Sequence, residues 1–158
     1  MKKQYIEDLY TGQKFASGCH VVKELELKKF AAEFDPQPHH LDSQTAHMTI
    51  FEGLVASGWH TAAISSRLLI ESEFQPAGGI VGLSVDELRW QKPVQPGDTL
   101  HVETEILELR PSKSRRGHGV IKARIITINQ KNEKVQSYIL HLLALRRDED
   151  TGMSTCQG

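Results

Sequence analysis

The sequence contains only two cysteines among its 158 residues, Cys19 near one end and Cys156 near the other. Two isolated thiols cannot form the framework of several disulfides that stabilises small secreted domains. We therefore expect both to be free thiols of a protein in a reducing compartment, with the cytoplasm as the default location. The opening MKKQYIEDLYTGQKF has two lysines but no apolar stretch behind them, which argues against a signal peptide.

Long apolar runs and an excess of one charge are also missing. No apolar stretch approaches the length of a membrane span, so we expect no membrane association. The 19 basic and 20 acidic residues give a formal net charge of -1, so bulk electrostatics gives no reason to expect a nucleic-acid partner. With 39% hydrophobic and 25% charged residues, the composition is that of a globular chain, and its length suits one domain.

The hydrophobic pattern predicts two helices in the first half of the chain. The run ELELKKFAAEF has apolar residues at helical spacing, and Pro36 requires this helix to end by Asp35. A strand-like run at residues 13–22, weakened by Gly18, precedes it. Residues 53–73 predict a second helix, apolar nearly all round and therefore buried. Its predicted apolar stripe consists of Trp59, Ala62, Ala63, Ser66, Leu69 and Ile70.

The second half predicts four antiparallel strands: IVGLSVDELRWQ, DTLHVETEILELR, GHGVIKARIITINQ and KVQSYILHLLALRR. The alternation of Leu100, Val102 and Ile106 changes phase at Leu107, which predicts a β-bulge. The last run is apolar on both faces, so we place it in the middle of the sheet. We expect one α+β domain over residues 1–147, with a curved antiparallel sheet wrapped around the long central helix, and a disordered polar tail at residues 148–158.

The segment FDPQPHHLD contains two carboxylates, two imidazoles and two prolines. Pro36 and Pro38 each fix one backbone dihedral angle, so we expect a stiff loop that points Asp35 and His40 into one cavity. A carboxylate and an imidazole that share a cavity form an acid–base pair, which can hold and activate a water molecule. Asp42 precedes SQTA and is expected to cap a short helical turn.

Three segments resemble the MaoC-like dehydratase family, which includes the (R)-specific enoyl-CoA hydratases and has the hotdog fold. DPQPHHLDSQTA is similar to the family pattern of Asp, any residue, Asn, Pro, an apolar residue, His, five residues and a small residue, here Ala46. FEGLVASGWHTAAISS resembles the start of the family's central helix, and LRWQKPVQPGDTL its Pro-Val-x-x-Gly-Asp segment. The resemblance runs from about residue 30 to residue 100 and implies a single hotdog domain.

The resemblance also implies a hydro-lyase that acts on acyl-CoA thioesters, either a 2-enoyl-CoA hydratase or, in reverse, a 3-hydroxyacyl-CoA dehydratase. Asp35 and His40 would hold the water added at the β-carbon, and one of them would exchange the α-proton. The backbone N–H of Gly58, at the start of the central helix, would bind the thioester oxygen, because a helix N-terminus favours negative charge there. The residues implied to bind substrate are Gln37, Ser57 and Ser66.

Three positions depart from the family pattern. Gln37 stands in place of the Asn and is one methylene longer, and Ser57 stands where many members carry His. His39 occupies a position that is usually apolar, so we expect it to pack rather than to react. These departures keep the predicted catalytic pair and leave the identity of the substrate open.

Structural explanations compete with these assignments. Asp35 could be only a turn residue before proline, and Gly58 only a glycine that allows close packing. Trp59 and Trp90 are expected in the core or an interface. Four histidines (39, 40, 47 and 60) suggest zinc, but their spacing fits no ligand pattern and no cysteine cluster supports it, so we predict no metal.

Two other functions remain open, a hotdog thioesterase and a non-catalytic acyl-CoA-binding module. We expect no cofactor, coenzyme A being part of the substrate, with an acyl-carrier protein as the alternative carrier. SKSRRGH predicts a solvated hairpin turn, with the phosphates of coenzyme A as its alternative contact. We expect a homodimer, because a lone curved sheet would expose its edge.

Overall fold

The computed structural model describes residues 2–147, so the tail predicted at residues 148–158 lies outside the described residues. A 3₁₀ turn at Ile6–Asp8 precedes the main elements. The strands are β1 (Lys14–Ala16), β2 (His20–Val21), β3 (Val81–Trp90), β4 (Thr99–Pro111), β5 (His118–Ile128) and β6 (Lys134–Leu145). The helices are α1 (Glu24–Phe34), α2 (Pro38–Leu41), α3 (Ser43–Ala46) and α4 (Gly58–Ile70). The strand predicted at residues 13–22 is thus two short strands, separated around Gly18.

The strands form one antiparallel sheet in the order β1-β4-β5-β6-β3, and β2 also pairs with β4. The central position predicted for the last run is confirmed, because β6 lies between β5 and β3. The predicted β-bulge is confirmed by a register shift between Ile106 and Glu108. Within residues 2–147, β3 pairs on one side only, with β6, and therefore forms an edge of the sheet.

The segment around the two prolines folds into short helices. Helix α1 ends at Phe34, as predicted, and Asp35 follows in a non-helical conformation with φ −151° and ψ 67°. Pro38 opens α2, where its missing N–H costs no helical hydrogen bond. The predicted cap of α3 is confirmed, since Asp42 Oδ1 accepts a hydrogen bond from Gln44 N–H at 3.0 Å. The stiff loop predicted here is therefore a pair of helical turns.

The central helix α4 differs from the prediction in its limits and in its buried face. It begins at Gly58 and ends at Ile70, a shorter span than the predicted 53–73. The buried residues of α4 are His60, Thr61, Ile64, Ser65, Leu68 and Leu69. Of the predicted stripe only Leu69 is buried, whereas Trp59 and Ile70 are 59% and 56% exposed in the single chain. The prediction was wrong because a helix that is apolar nearly all round has no unique apolar face in its sequence.

The core lies between α4 and the sheet. Ile64, Leu68 and Leu69 of α4 belong to the same buried cluster as Ile106 of β4 and Ile121 of β5. Full burial of such a side chain contributes about 1.5–3 kcal/mol, so these contacts hold α4 firmly against the sheet. No helix within residues 2–147 combines the length and the apolar character needed to cross a membrane.

Candidate active site

A cavity of about 370 Å³ lies between α2, the start of α4 and the segment that follows β3. The three residues predicted to be catalytic, Asp35, His40 and Gly58, all line it. Phe51 and Trp90 form part of its apolar wall. The structure thus brings together, in one cavity, an acidic side chain, an imidazole and the first residue of a helix.

Asp35 and His40 form a close pair in this cavity. Asp35 Oδ2 lies 3.3 Å from His40 Nε2, and the His40 side chain is almost fully buried. The other ring nitrogen, His40 Nδ1, lies 2.7 Å from the carbonyl oxygen of Val55. Because a carbonyl oxygen only accepts hydrogen bonds, Nδ1 must carry the hydrogen and donate it. Nε2 is therefore the nitrogen left to exchange a proton beside Asp35.

Two neutral side chains donate hydrogen bonds to the Asp35 carboxylate. Gln37 Nε2 donates to Oδ1 at 2.6 Å, and Ser57 Oγ donates to Oδ2 at 2.7 Å. Burial raises the pKa of Asp35, but the hydrogen bonds from Gln37 and Ser57 and the charge of His40 together outweigh burial and lower the pKa below its usual value. Asp35 is therefore a carboxylate at neutral pH.

The three predicted substrate-binding residues occupy different environments. Gln37 lines the cavity, but its amide already donates a hydrogen bond to Asp35. Ser57 has no exposed surface, and its hydroxyl also accepts a hydrogen bond from Trp59 N–H at 3.3 Å. It therefore contacts Asp35 and the start of α4 and does not line the cavity. Ser66 is exposed on α4 and does not line the cavity; eight residues along the helix separate it from Gly58 by about 12 Å. Neither serine lines this cavity, and their binding to substrate stays a prediction.

Gly58 has features that both the oxyanion role and close packing require. It is the first residue of α4 and lines the cavity, and within residues 2–147 its N–H donates no hydrogen bond. A Cβ at this position would also lie 2.6 Å from Cε2 of Trp90, which is closer than real side chains approach. A side chain at residue 58 would therefore require Trp90 or the start of α4 to move.

Other residues at the site were not identified from the sequence. The Val55 carbonyl selects the tautomer of His40, and Trp90 packs on Gly58 while lining the cavity. His39 packs as predicted, with its ring edge-on to that of His40 at 4.1 Å. Burial and the neighbouring His40 lower the pKa of His39. The one sequence signal for Trp90 was its place in LRWQKPVQPGDTL, which pointed to the family and not to this contact.

His60, on α4, belongs to a separate cluster with Phe30, Glu26 and His20. Its ring stacks on Phe30 at 4.6 Å, and its Nε2 lies 3.5 Å from Glu26 Oε1, which also lies 2.9 Å from His20 Nε2. In the described part of the chain, no three His, Cys, Asp or Glu side chains are grouped so that they could hold a metal ion.

The chain is similar in sequence and in fold to known proteins of one family. The family model for the MaoC like domain matches residues 11–129. The crystal structure of a MaoC-like dehydratase from Rhodospirillum rubrum is similar, with a TM-score of 0.88 and 46% identity over 92% of this chain and 99% of that one. The protein YdeM of Bacillus subtilis (strain 168) is 34% identical over 141 residues, 89% of this chain and 99% of that protein.

A functionally named relative is more distant. An (R)-specific enoyl-CoA hydratase of Rhodospirillum rubrum is 28% identical over 115 residues, which cover 69% of this chain and 74% of that enzyme. The antiparallel sheet packed on α4 and the similarity to the crystal structure from Rhodospirillum rubrum confirm the predicted hotdog fold. The chain therefore belongs to the MaoC-like dehydratase family.

Proposed function

We propose that this protein is a hydro-lyase acting on acyl-CoA thioesters, a 2-enoyl-CoA hydratase or, in reverse, a 3-hydroxyacyl-CoA dehydratase. The observation that carries the proposal is the 3.3 Å pair of Asp35 Oδ2 and His40 Nε2, which shares a cavity with the free N–H of Gly58. The name of the Rhodospirillum rubrum relative, an (R)-specific enoyl-CoA hydratase, supports the same reaction class.

The acid–base pair would activate a water molecule. Water held between Asp35 and His40 bonds through its oxygen to the β-carbon of the enoyl group, while one of the two side chains takes a proton from it. The electrons of the carbon–carbon double bond move toward the thioester oxygen, giving an enolate. A proton from the pair then bonds to the α-carbon, so that the elements of one water molecule are added across the double bond.

Gly58 would stabilise the enolate. Its N–H is free and stands at the N-terminus of α4, where the helix dipole favours a negative charge. A donor that points at the developing oxyanion typically contributes a factor of about 10²–10³ to the rate. Water, the acid–base pair and this donor suffice for the chemistry, so the proposed reaction uses no further cofactor.

The proposed substrate is a thioester of coenzyme A, with an acyl-carrier protein as the alternative carrier. We expect the cavity of about 370 Å³ to hold a short acyl group beside Phe51 and Trp90. The basic hairpin between β4 and β5 starts at the opposite end of the sheet from Trp90, since His118 pairs with Leu145 and Trp90 pairs with Gln136. In a single chain, this hairpin is therefore a poor partner for the phosphates of the same substrate.

We also propose a homodimer. Val81, Leu83 and Val85 of β3 are between 48% and 54% exposed, on a strand that pairs on one side only within residues 2–147. A long apolar edge strand is a template for pairing with another chain. A second copy would satisfy the backbone groups of this edge and cover its apolar side chains.

Crotonyl-CoA provides the direct test of the activity. Loss of the enoyl absorbance without release of free thiol is the expected result, and release of free thiol would instead indicate a thioesterase. Asp35→Asn and His40→Ala are each expected to lower kcat by about 10²–10⁴. If wild-type protein turns over no enoyl-CoA, a binding module becomes the better description. If it does but neither substitution changes its turnover, Asp35 and His40 are not its acid–base pair and that part of the proposal is wrong.

A further inference from the structure

Trp90 makes two contacts with the first residue of the central helix. The face of its indole covers the α-carbon of Gly58 so closely that a Cβ would meet Cε2, Cδ2 and Cζ2 at 2.6, 2.9 and 2.9 Å. Its Nε1–H also donates to the Gly58 carbonyl oxygen at 3.0 Å. Trp90, at the end of β3, therefore restrains both the position and the rotation of residue 58.

Gln136 restrains the indole of Trp90 through a hydrogen bond. Its Oε1 accepts from the same Trp90 Nε1–H at 2.9 Å, and its side chain on β6 is fully buried beside Trp90, with which it is paired in register. Within residues 2–147, Gln136 Nε2 is buried without a hydrogen-bond partner. A buried amide that leaves its own N–H group unsatisfied costs stability. This cost is explained if the residue serves to orient Trp90.

The peptide that carries the free donor is fixed at both ends. The Ser57 carbonyl accepts from Thr61 N–H at 3.0 Å, which fixes the peptide plane between residues 57 and 58 from the helix side. The Gly58 carbonyl is held by Trp90 on the other side of the same α-carbon. The N–H of Gly58 thus lies between two carbonyl groups that α4 holds, and Trp90 adds a second restraint on the carbonyl of Gly58 itself.

We propose that Trp90, held by Gln136, is a positioning residue that aims the Gly58 N–H at the thioester oxygen. This inference rests on the proposed hydratase function and adds to it the group that sets the direction of the oxyanion donor. Trp90 acts through Gly58, so its loss should affect the transition state more than the ground state. A misplacement of about 1 Å in such a donor can cost about a hundredfold in rate.

Gln136→Met separates this role from a purely structural one. The substitution keeps the side-chain length, removes the acceptor for Trp90 and also removes the unsatisfied amide, and Gln136 does not line the cavity. We expect kcat for crotonyl-CoA to fall several-fold with KM nearly unchanged, while the midpoint of urea unfolding does not decrease. The matched control is Thr127→Val on β5, which removes another buried, unpartnered polar atom opposite Gln136 but does not touch Trp90. This control should keep the wild-type kcat.

Trp90→Phe provides the second variant, with a readout that needs no turnover. We expect a fall in kcat on the order of tenfold or more. Infrared spectra of bound butyryl-CoA, labelled with ¹³C at the thioester carbonyl, should show a shift of the C=O stretch to lower frequency in wild type and a smaller shift in Trp90→Phe. If wild type does not hydrate crotonyl-CoA, the proposed function fails first. If wild type is active and both variants keep its kcat and carbonyl frequency, the positioning role is wrong.

Discussion

Ser57 Oγ lies 2.7 Å from Asp35 Oδ2, and this hydrogen bond joins the N-cap of α4 to the residue that follows α1. The same oxygen accepts from Trp59 N–H, so one hydroxyl caps the helix and holds the carboxylate. The start of α4, which carries the free N–H of Gly58, is thereby tied directly to the acid–base pair. A change at Ser57 should therefore alter the chemistry of the site without contacting the substrate.

Ser57→Ala should move the acid limb of the pH–rate profile to higher pH. The hydrogen bonds from Gln37 and Ser57 hold the pKa of Asp35 below its usual value despite burial, so removal of one of them raises that pKa. Because the proposed reaction uses the carboxylate form, kcat/KM should then decline at a higher pH than in wild type. The measurement is kcat/KM for crotonyl-CoA from about pH 3 to pH 7, because the wild-type acid limb lies below the usual pKa of 3.8.

A capping control distinguishes this effect from general destabilisation. Ser57→Ala also removes an N-cap, which typically costs about 1 kcal/mol. Asp42→Ala removes the N-cap of α3, where Asp42 accepts from Gln44 N–H, and it touches neither member of the proposed acid–base pair. It should lose stability and keep the wild-type acid limb. If the acid limb of the pH–rate profile of Ser57→Ala does not move, Ser57 does not control the pKa of Asp35.

The sequence predicted Asp35 and His40 together because both lie in one short segment whose residue types carry the chemistry. The partners of this segment were not predicted, since they come from distant parts of the chain. Ser57 lies 22 residues from Asp35, and Trp90 lies 32 residues from Gly58. No local pattern encodes such contacts, which depend on how the helices and β3 pack in three dimensions.

The buried face of α4 shows a different limit. Helical periodicity identifies a face only where polar residues mark the other side, and α4 carries Ala, Ser and large apolar residues around most of its circumference. The bulge after Ile106 was predicted correctly, because a strand with period two changes face whenever one residue is inserted. Alternation in a strand is thus a sharper signal than periodicity in a uniformly apolar helix.

His60 should make the free energy of unfolding depend on pH. Burial lowers the pKa of His60, although Glu26 opposes this effect, so the unfolded chain binds a proton at higher pH than the folded chain does. Stability from this group is therefore complete above the usual pKa of 6.5 and declines as the pH falls below that value toward the lowered one. His60→Phe, which can still stack on Phe30, should weaken this decline in urea unfolding between about pH 7 and pH 5.

Comparison of the two slopes isolates His60 from the other groups that titrate. Asp35 contributes at lower pH, because its pKa is below its usual 3.8, and His39 is present in both proteins. The control is His47→Gln, at an exposed position, which should keep the wild-type slope. Identical slopes for wild type and His60→Phe would contradict the inferred linkage.

Leu83→Lys should convert the proposed dimer to a monomer. Leu83 is 54% exposed on β3, and a lysine at a sheet edge opposes pairing with a second chain by charge repulsion and loss of apolar contact. Light scattering after size exclusion should give the dimer mass for wild type and the monomer mass for this variant. Leu25→Lys, at an 81% exposed position on α1, is the control and should remain dimeric. A monomeric wild type, or a dimeric Leu83→Lys, would contradict the proposed interface.

Gly58→Ala should lower the kcat of the proposed hydratase reaction through its contact with Trp90. The size of this loss should depend on the residue at position 90. Alanine retains the backbone N–H of residue 58. Its Cβ would lie 2.6 Å from Trp90 Cε2, so either the start of α4 or the indole must move. We expect kcat to fall by about a hundredfold and stability to decrease. Phenylalanine at position 90 lacks the outer ring of the indole, which provides part of this clash.

A double-mutant cycle tests this dependence. Gly58→Ala should cost less in kcat and in urea midpoint when introduced into Trp90→Phe than into wild type, because part of the steric conflict has been removed. The interaction energy between the two positions should therefore be well above the 0.3–0.5 kcal/mol within which independent sites usually add. Equal effects of Gly58→Ala in both backgrounds would mean that contact with Trp90 does not limit residue 58. The direction of the donor would then have to be set by the helix alone, through the carbonyl of Ser57 and its hydrogen bond from Thr61.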